Sequence, residues 1–131
     1  MQFLFVCLGN VARSQMAEAY FNHFSKKDKA TSTGVLDFTP EKYGYPVKEA
    51  IEVMKEDGID ISKQRVTYIS PEMVEKSDNI FVMCKKEECP DFLLNSYKVI
   101  FWKIEDPFNS SIENFRKIRD EIKKKVRAII R

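Results

Sequence analysis

The most constraining feature of the chain is an eight-residue segment that separates an apolar run from an amphipathic stretch near the amino terminus. Residues 2–6 are mainly apolar and break at Cys-Leu-Gly-Asn, as a buried strand does where it enters a turn. From residue 14 the apolar side chains follow helical spacing and share one face. We therefore predict a strand, a loop and a helix in succession. The loop consists of Cys7, Leu8, Gly9, Asn10, Val11, Ala12, Arg13 and Ser14.

Short strand-like runs and amphipathic stretches alternate along the rest of the chain. Further strands are predicted at residues 29–34, 79–83 and 98–102, and further helices at residues 47–54, 71–74 and 112–129. The sequence Ser110-Ser111-Ile112-Glu113 has the spacing of a capping box and predicts the start of the last helix. Strands separated by helices indicate an α/β fold, with a parallel sheet covered on both faces. The length of 131 residues, without a repeat or a linker, indicates one domain over residues 1–131.

Composition and charge exclude several classes of protein. Hydrophobic residues at 44% and charged residues at 32% are typical of a globular protein and exclude a disordered one. The 22 basic and 20 acidic residues leave a net charge of +2, which does not indicate a nucleic-acid or membrane partner. The amino-terminal apolar run has no basic stretch before it, unlike a signal peptide. We therefore expect a cytoplasmic protein, and we expect it to be a monomer.

The loop after the first strand has the parts of a binding site for a tetrahedral oxyanion. Its backbone N–H groups and the positive end of the following helix attract an anion, and Gly9 permits the unusual backbone angles of such a wrap. Arg13 supplies a planar fork that binds two oxygens of the anion. The same positive field favours a nucleophilic thiolate at Cys7, to which Ser14 can donate a hydrogen bond. We expect Asn10 to shape the loop through hydrogen bonds of its side chain to the backbone.

Reactive residues follow three of the predicted strands. Cys7 follows the first strand, Cys84 the third and Asp106 the fourth, and ligands of parallel sheets bind beyond the carboxyl ends of the strands. Asp106 can act as a general acid, although an aspartate before a proline is also common in turns. The single histidine, His23, allows neither a histidine-based triad nor a zinc cluster. We therefore expect no metal and no cofactor, and reduced rather than disulfide-bonded cysteines.

The residues from the loop into the first helix carry a resemblance to a known family. Residues 7–19, Cys-Leu-Gly-Asn-Val-Ala-Arg-Ser-Gln-Met-Ala-Glu-Ala, resemble the signature of the low-molecular-weight phosphotyrosine phosphatase superfamily, which includes the thioredoxin-coupled arsenate reductases. The resemblance continues through residues 58–62 and 105–107 to the last helix. It implies a three-layer α/β/α fold with a four-stranded parallel sheet, with Cys7 as nucleophile, Arg13 on the oxyanion and Asp106 as general acid.

Two further cysteines favour the reductase branch. The segment around Cys84 and Cys89 resembles the redox segment of arsenate reductases. That resemblance implies that Cys7 attacks arsenate and that Cys84 then attacks the Cys7 sulfur and releases arsenite. Cys89 next attacks Cys84, and thioredoxin or a similar dithiol reduces the resulting disulfide. We expect Lys85 and Lys86 to help hold Cys84 as a thiolate.

The spacing of these cysteines leads to a conformational expectation. A separation of five residues along a helix is a rise of about 7.5 Å, whereas the Cα atoms of a disulfide lie about 4.4–6.8 Å apart. If residues 84–89 are helical when reduced, they must loop out when oxidised.

A phosphatase is the alternative, and the sequence departs from the reductase pattern in three places. Ala12 stands where both branches commonly carry a second cysteine, and residues 35–46 form a longer loop than in typical reductases. Phe38 in that loop and Phe108 after the general acid stand where phosphatases flank a phosphotyrosine ring, although both can equally cover the rim of the sheet. The alternative enzyme hydrolyses phosphotyrosine through a Cys7 phosphoenzyme, with Cys84 and Cys89 idle or serving as a redox switch.

Overall fold

The structure is a computed structural model that describes residues 1–36 and 44–130. Strands and helices alternate along these residues, as predicted. The strands are β1 (Gln2–Cys7), β2 (Lys29–Gly34), β3 (Asn79–Val82) and β4 (Val99–Phe101). The helices are α1 (Arg13–Phe24), α2 (Lys48–Glu56), α3 (Pro71–Lys76), α4 (Asp91–Leu94) and α5 (Ile112–Ile129), and one 3-10 turn covers Lys86–Glu88. The short α4 and the 3-10 turn are the elements that the sequence analysis did not predict.

The four strands form one parallel sheet in the order β2-β1-β3-β4. The register pairs Cys7 with Gly34 on one side of β1 and Val6 with Val82 on the other. Val82 is in turn the register partner of Phe101 at the end of β4. Because all strands run in one direction, the segments that follow β1, β3 and β4 leave the sheet at the same edge.

Both faces of the sheet are covered, because alternate residues of β1 point to opposite sides. Phe3 and Phe5 belong to the larger apolar cluster, which includes residues of α1, α2 and α5. Leu4 and Val6 belong to the smaller cluster on the other face, which includes Val74 of α3 and Leu93 of α4. This arrangement confirms the predicted three-layer α/β/α architecture. Within the described residues, no helix is both long and apolar enough to cross a membrane.

Candidate active site

The loop after β1 is buried and turns sharply at Asn10. Asn10 is fully buried and has a φ of 57°, in the left-handed region that asparagine tolerates better than most residues. The sequence analysis assigned the unusual backbone angle to Gly9, but that expectation is wrong, because the positive φ lies at the next residue. The asparagine side chain can form hydrogen bonds that compensate the cost of this conformation.

The Asn10 side chain connects the loop to two other segments. Its amide nitrogen Nδ2 donates to the Oγ atoms of Ser14 at 2.6 Å and Ser32 at 3.0 Å. Its oxygen Oδ1 accepts hydrogen bonds from the Thr67 backbone at 2.9 Å and from Gln15 Nε2 at 3.1 Å. The loop-shaping role expected of Asn10 is therefore performed by hydrogen bonds to side chains as well as to the backbone.

These bonds determine which way the hydroxyl of Ser14 points. Ser14 Oγ already accepts an N–H of Asn10, so its own hydrogen is free to donate to Cys7 Sγ, which lies 2.9 Å away. The backbone N–H of Asn10 also donates to Cys7 Sγ, at 3.2 Å. Two donors directed at one sulfur stabilise its negatively charged form, which is the nucleophilic form.

A partly buried carboxyl group lies at the far end of the same chain of hydrogen bonds. Ser32 accepts from Asn10 and donates through its hydroxyl to Glu18 Oε1 at 2.8 Å. Burial raises the pKa of Glu18 above its usual value, and the hydrogen bonds from Ser32 oppose that shift only in part. Glu18 is therefore one end of a continuous hydrogen-bond path to the Cys7 sulfur.

Arg13, at the start of α1, ties the loop to the ends of the neighbouring strands. Its guanidinium is almost fully buried, and Nη1 donates to the backbone oxygens of Met83 and Ile104. Its other terminal nitrogen, Nη2, lies 3.5 Å from Asp106 Oδ2. Asp106 is partly exposed and accepts at Oδ1 from the backbone N–H of Phe108 at 3.1 Å. The fork of Arg13 is thus held in one orientation beside the Asp106 carboxylate.

These side chains enclose a small pocket of about 70 Å³. The pocket is lined by Cys7, Leu8, Gly9, Val11, Ala12, Arg13, Asp106 and Phe108. The helix that begins at the pocket, α1, has no side-chain cap at its N-cap residue Ala12. The first N–H groups of a helix need partners, and an anion in the pocket can supply them. The arrangement suits a tetrahedral oxyanion attacked by a thiolate next to a carboxylic acid.

Cys84 and Cys89 lie together beside this pocket. The two sulfur atoms are 3.7 Å apart, with Cys84 buried and Cys89 half-buried. Between them the chain forms only the 3-10 turn Lys86–Glu88, and not an α-helix. The condition for the expected loop-out, a helix over residues 84–89, is therefore not met, and the two sulfurs are already in contact in the reduced protein.

The surroundings of Cys84 do not favour a thiolate. Burial raises the pKa of Cys84, and the neighbouring Cys89, Cys7 and Glu88 raise it further. The expectation that Lys85 and Lys86 hold this thiol ionised is wrong, because the pKa of Cys84 is raised and not lowered. The ammonium of Lys86 lies over the Phe101 ring, 5.8 Å from its centre. Lys85 is exposed. Cys84 is therefore a protonated thiol at neutral pH in this state.

Cys84 lines a second, larger cavity that adjoins the oxyanion pocket. This open groove measures about 930 Å³ and shares Leu8, Arg13 and Asp106 with the smaller pocket. Its outer wall includes Phe101 and Trp102 at the end of β4. The shared wall means that the Cys7 and Cys84 sites are neighbours.

Comparison with known proteins identifies the family. A family model for low molecular weight phosphotyrosine protein phosphatases matches residues 2–131. The chain belongs to this family. An arsenate reductase of Staphylococcus epidermidis is 37% identical to it over 121 residues, which cover 91% of this chain and 88% of that relative. The recognition made from residues 7–19, and the fold that it implied, are confirmed.

Solved structures show the same fold in both branches of the low molecular weight phosphatase family. A structure described as an arsenate reductase in the phosphate binding state has a TM-score of 0.84 and 30% identity, over 98% of this chain and 95% of that chain. A low molecular weight protein tyrosine phosphatase from T. tengcongensis has a TM-score of 0.84 and 31% identity, over 97% of this chain and 95% of that chain.

Of the two aromatic residues expected to flank a substrate, the structure describes one. Phe108 lies at the mouth of the Cys7 pocket and is partly exposed. Phe38 lies outside the described residues. The role of this aromatic pair beside a substrate therefore stays a prediction, with one of its two members described.

The sequence analysis missed three residues that support the loop in this member of the family. Ser32 and Glu18 continue the hydrogen-bond path from Asn10, and Gly34 packs beneath the loop. A Cβ atom at Gly34 would lie 2.8 Å from Asn10 N and 2.8 Å from Gly9 C, so only glycine fits without moving backbone. A glycine at the end of a strand gives no signal of this role, because the loop that it touches is distant in sequence.

Proposed function

We propose that this protein is an arsenate reductase that converts arsenate to arsenite and is recycled by thioredoxin or a similar dithiol. The observation that carries the proposal is the contact of the Cys84 and Cys89 sulfurs, 3.7 Å apart, next to the oxyanion pocket of Cys7. A phosphatase needs the nucleophile, the arginine and the acid, but it does not need a second pair of thiols.

The proposed reaction begins with arsenate in the Cys7 pocket, bound by the loop N–H groups and Arg13. The Cys7 thiolate attacks arsenic, and an oxygen that Asp106 protonates leaves as water. Cys84 loses its proton and attacks the Cys7 sulfur, so the bond between sulfur and arsenic breaks and its electron pair stays on arsenic. The products are arsenite and a disulfide between Cys7 and Cys84.

The remaining steps regenerate the enzyme. Cys89 attacks Cys84, the Cys7 thiolate leaves, and the oxidised pair is Cys84–Cys89. A dithiol donor then reduces this disulfide and is itself oxidised. Free thiols of this kind persist in a reducing compartment, which supports a cytoplasmic location. We further propose that the protein acts as a single-domain monomer.

Substitution of Cys84 by serine tests the proposal. The Cys84→Ser variant is expected to lose multiple turnover of arsenate, measured as NADPH consumption coupled through thioredoxin and thioredoxin reductase. It is expected to keep its rate of hydrolysis of p-nitrophenyl phosphate, because Cys7, Arg13 and Asp106 are unchanged. Sustained arsenate turnover by Cys84→Ser would refute the relay.

Hydrolysis of phosphotyrosine is the second candidate function. It is favoured by the position of Phe108, which lines the Cys7 pocket where a substrate ring would enter. A phosphotyrosine peptide separates the two candidates. A phosphatase is expected to hydrolyse it far more efficiently than p-nitrophenyl phosphate, and to be unaffected by loss of Cys84.

A further inference from the structure

The turn that joins Cys84 to Cys89 is closed by hydrogen bonds in both directions. The Lys85 carbonyl accepts from the Glu88 backbone N–H at 3.0 Å and from the Cys89 thiol at 3.4 Å. In return, the Glu88 carboxylate accepts the backbone N–H of Lys85 at 2.7 Å. The Cys89 backbone N–H donates to the Lys86 carbonyl at 3.1 Å. The two cysteines are therefore at the ends of a turn whose conformation is defined by its own contacts.

Each end of the turn is also attached to the rest of the fold. Before it, the Met83 N–H donates to the Val6 carbonyl of β1 at 2.7 Å. After it, the Pro90 carbonyl accepts from the first turn of α4, where Leu93 is fully buried in the smaller apolar cluster. Cys84 belongs to that cluster, and Cys89 packs against it.

We propose that residues 84–89 form a preassembled dithiol clip, and that Glu88 is a positioning residue whose bond to the Lys85 N–H keeps the two sulfurs in contact. The Cys84–Cys89 disulfide then forms without unwinding of the segment. A disulfide bond is about 2.05 Å long, so the two sulfurs have to approach by only about 1.7 Å from their separation of 3.7 Å. The role of the clip in the relay rests on the proposed function, whereas its geometry does not.

The contribution of Glu88 is its hydrogen bond and not its charge. Burial raises the pKa of both Cys84 and Cys89, and the Glu88 carboxylate adds to that shift because its charge opposes ionisation of the thiols. A residue selected only to activate these thiols would carry the opposite charge. A glutamine at this position keeps an oxygen acceptor for the Lys85 N–H without the charge, whereas an alanine removes both.

A glutathione redox buffer measures the clip without arsenate. In a Cys7→Ser background, oxidised glutathione accepts the two electrons of the Cys84 and Cys89 thiols and is released as two reduced glutathione molecules. Trypsin cleaves after the lysines between the two cysteines, so the disulfide is quantified by mass spectrometry as two linked peptides. The equilibrium constant for the reaction reports how favourably the two thiols are positioned.

Glu88→Ala is expected to lower this equilibrium constant about three- to tenfold, the range for loss of one hydrogen bond. Glu88→Gln and the matched control Glu87→Ala are expected to leave it unchanged. An unchanged constant in Glu88→Ala, or an equal decrease in Glu88→Gln, would overturn the positioning role.

Hydrogen exchange tests the absence of unwinding in the Cys7→Ser protein itself, and it does not depend on how the Glu88 variants fold. Amides of the turn and of α4 are expected to keep their protection when the disulfide forms. A large gain in exchange in α4 on oxidation would overturn the clip. Neither readout involves arsenate, so a failure of the clip is distinguishable from a failure of the reductase function.

Discussion

At the scale of single residues, the site depends on which atom donates and which accepts in each hydrogen bond around Cys7. Both hydrogens of the Asn10 amide are used, one on Ser14 and one on Ser32. Ser14 is consequently an acceptor toward Asn10 and a donor toward Cys7, which lies 2.9 Å away. The general preference of serine for local hydrogen bonds does not determine whether Ser14 donates or accepts. The buried Asn10 amide does, because it donates one N–H to Ser14 and the other to Ser32.

Replacing Ser14 by alanine is expected to slow the alkylation of Cys7 by iodoacetamide at neutral pH about tenfold. The variant loses one hydrogen bond to a charged sulfur, and bonds to charged groups contribute about 1.5–3 kcal/mol. Mass spectrometry of the peptide that contains Cys7 separates its rate from those of Cys84 and Cys89. Thr31→Ala, on the exposed side of β2, is the control, and equal rates in the two variants would contradict the assignment.

Asp106→Asn tests the proposed general acid. Removal of such a group typically lowers kcat by about 10²–10⁴, and less when the leaving group needs no proton. We therefore expect a large loss with phenyl phosphate and a much smaller one with p-nitrophenyl phosphate. The neighbouring Glu105→Gln variant should resemble the wild type with both substrates. Equal losses of Asp106→Asn on the two esters would argue against proton donation by Asp106.

The partly buried carboxyl of Glu18 makes the stability of the fold depend on pH. Burial raises its pKa above the ordinary value of 4.5, so the folded protein binds this proton more tightly than the unfolded chain does. The contribution of Glu18 to stability is therefore complete below pH 4.5 and is lost as the pH rises through the folded-state pKa.

Glu18→Gln is neutral at every pH and keeps an oxygen acceptor for Ser32. Urea denaturation is expected to show it gaining stability relative to the wild type as the pH rises from acidic to mildly alkaline. A difference between the two proteins that stays constant over this range would mean that Glu18 does not titrate with a raised pKa.

At the scale of elements, the periodicity of apolar residues predicted the strands and the longer helices and missed the shortest helix and turn. The four strands and the three longer helices were predicted from spacing alone, within two residues at most boundaries. The helix α4 has four residues, too few for a helical period to appear in the sequence. The turn before it escaped prediction because its bond from Lys85 N–H to the Glu88 side chain has no signature in spacing.

The cap of α5 shows how a boundary is misplaced by one residue. The spacing Ser110-Ser111-Ile112-Glu113 suggested a capping box that starts at Ser110, but Ser111 is the N-cap and accepts the Asn114 N–H at 3.1 Å. Ser110 instead donates to the Pro107 carbonyl and so supports the segment after Asp106. Two adjacent serines have the same propensity, and only the tertiary contact to Pro107 separates their roles.

Ser111→Ala is expected to destabilise the protein by about 0.5–2 kcal/mol, the usual cost of losing an N-cap side chain. Chemical denaturation measures the loss, and Lys124→Ala on the exposed face of the same helix provides the control. The α5 helix packs on α1, so an unchanged stability would indicate that tertiary contacts alone hold the first turn of α5.

At the scale of the whole molecule, the parallel sheet assembles the site. Cys7, Cys84 and Asp106 follow three different strands, and the rule that ligands bind beyond the carboxyl ends of such strands predicted their convergence. That rule does not give distances. Arg13 supplies the connection, since its guanidinium binds the backbone after β3 and after β4 and lies 3.5 Å from Asp106. The contact between Cys84 and Cys89 depends on the turn, and the spacing of the two cysteines in the sequence leaves open whether this segment is a helix or a turn.

The most direct test of the proposed function is a map of the three thiols after one exposure to arsenate. The reduced protein, freed of reductant, is treated anaerobically with arsenate, alkylated and digested with trypsin, with phosphate as the control. The account predicts a disulfide between Cys84 and Cys89 after arsenate, none after phosphate, and an alkylated Cys7 in both. Three alkylated cysteines after arsenate would contradict the reductase account and leave the phosphatase.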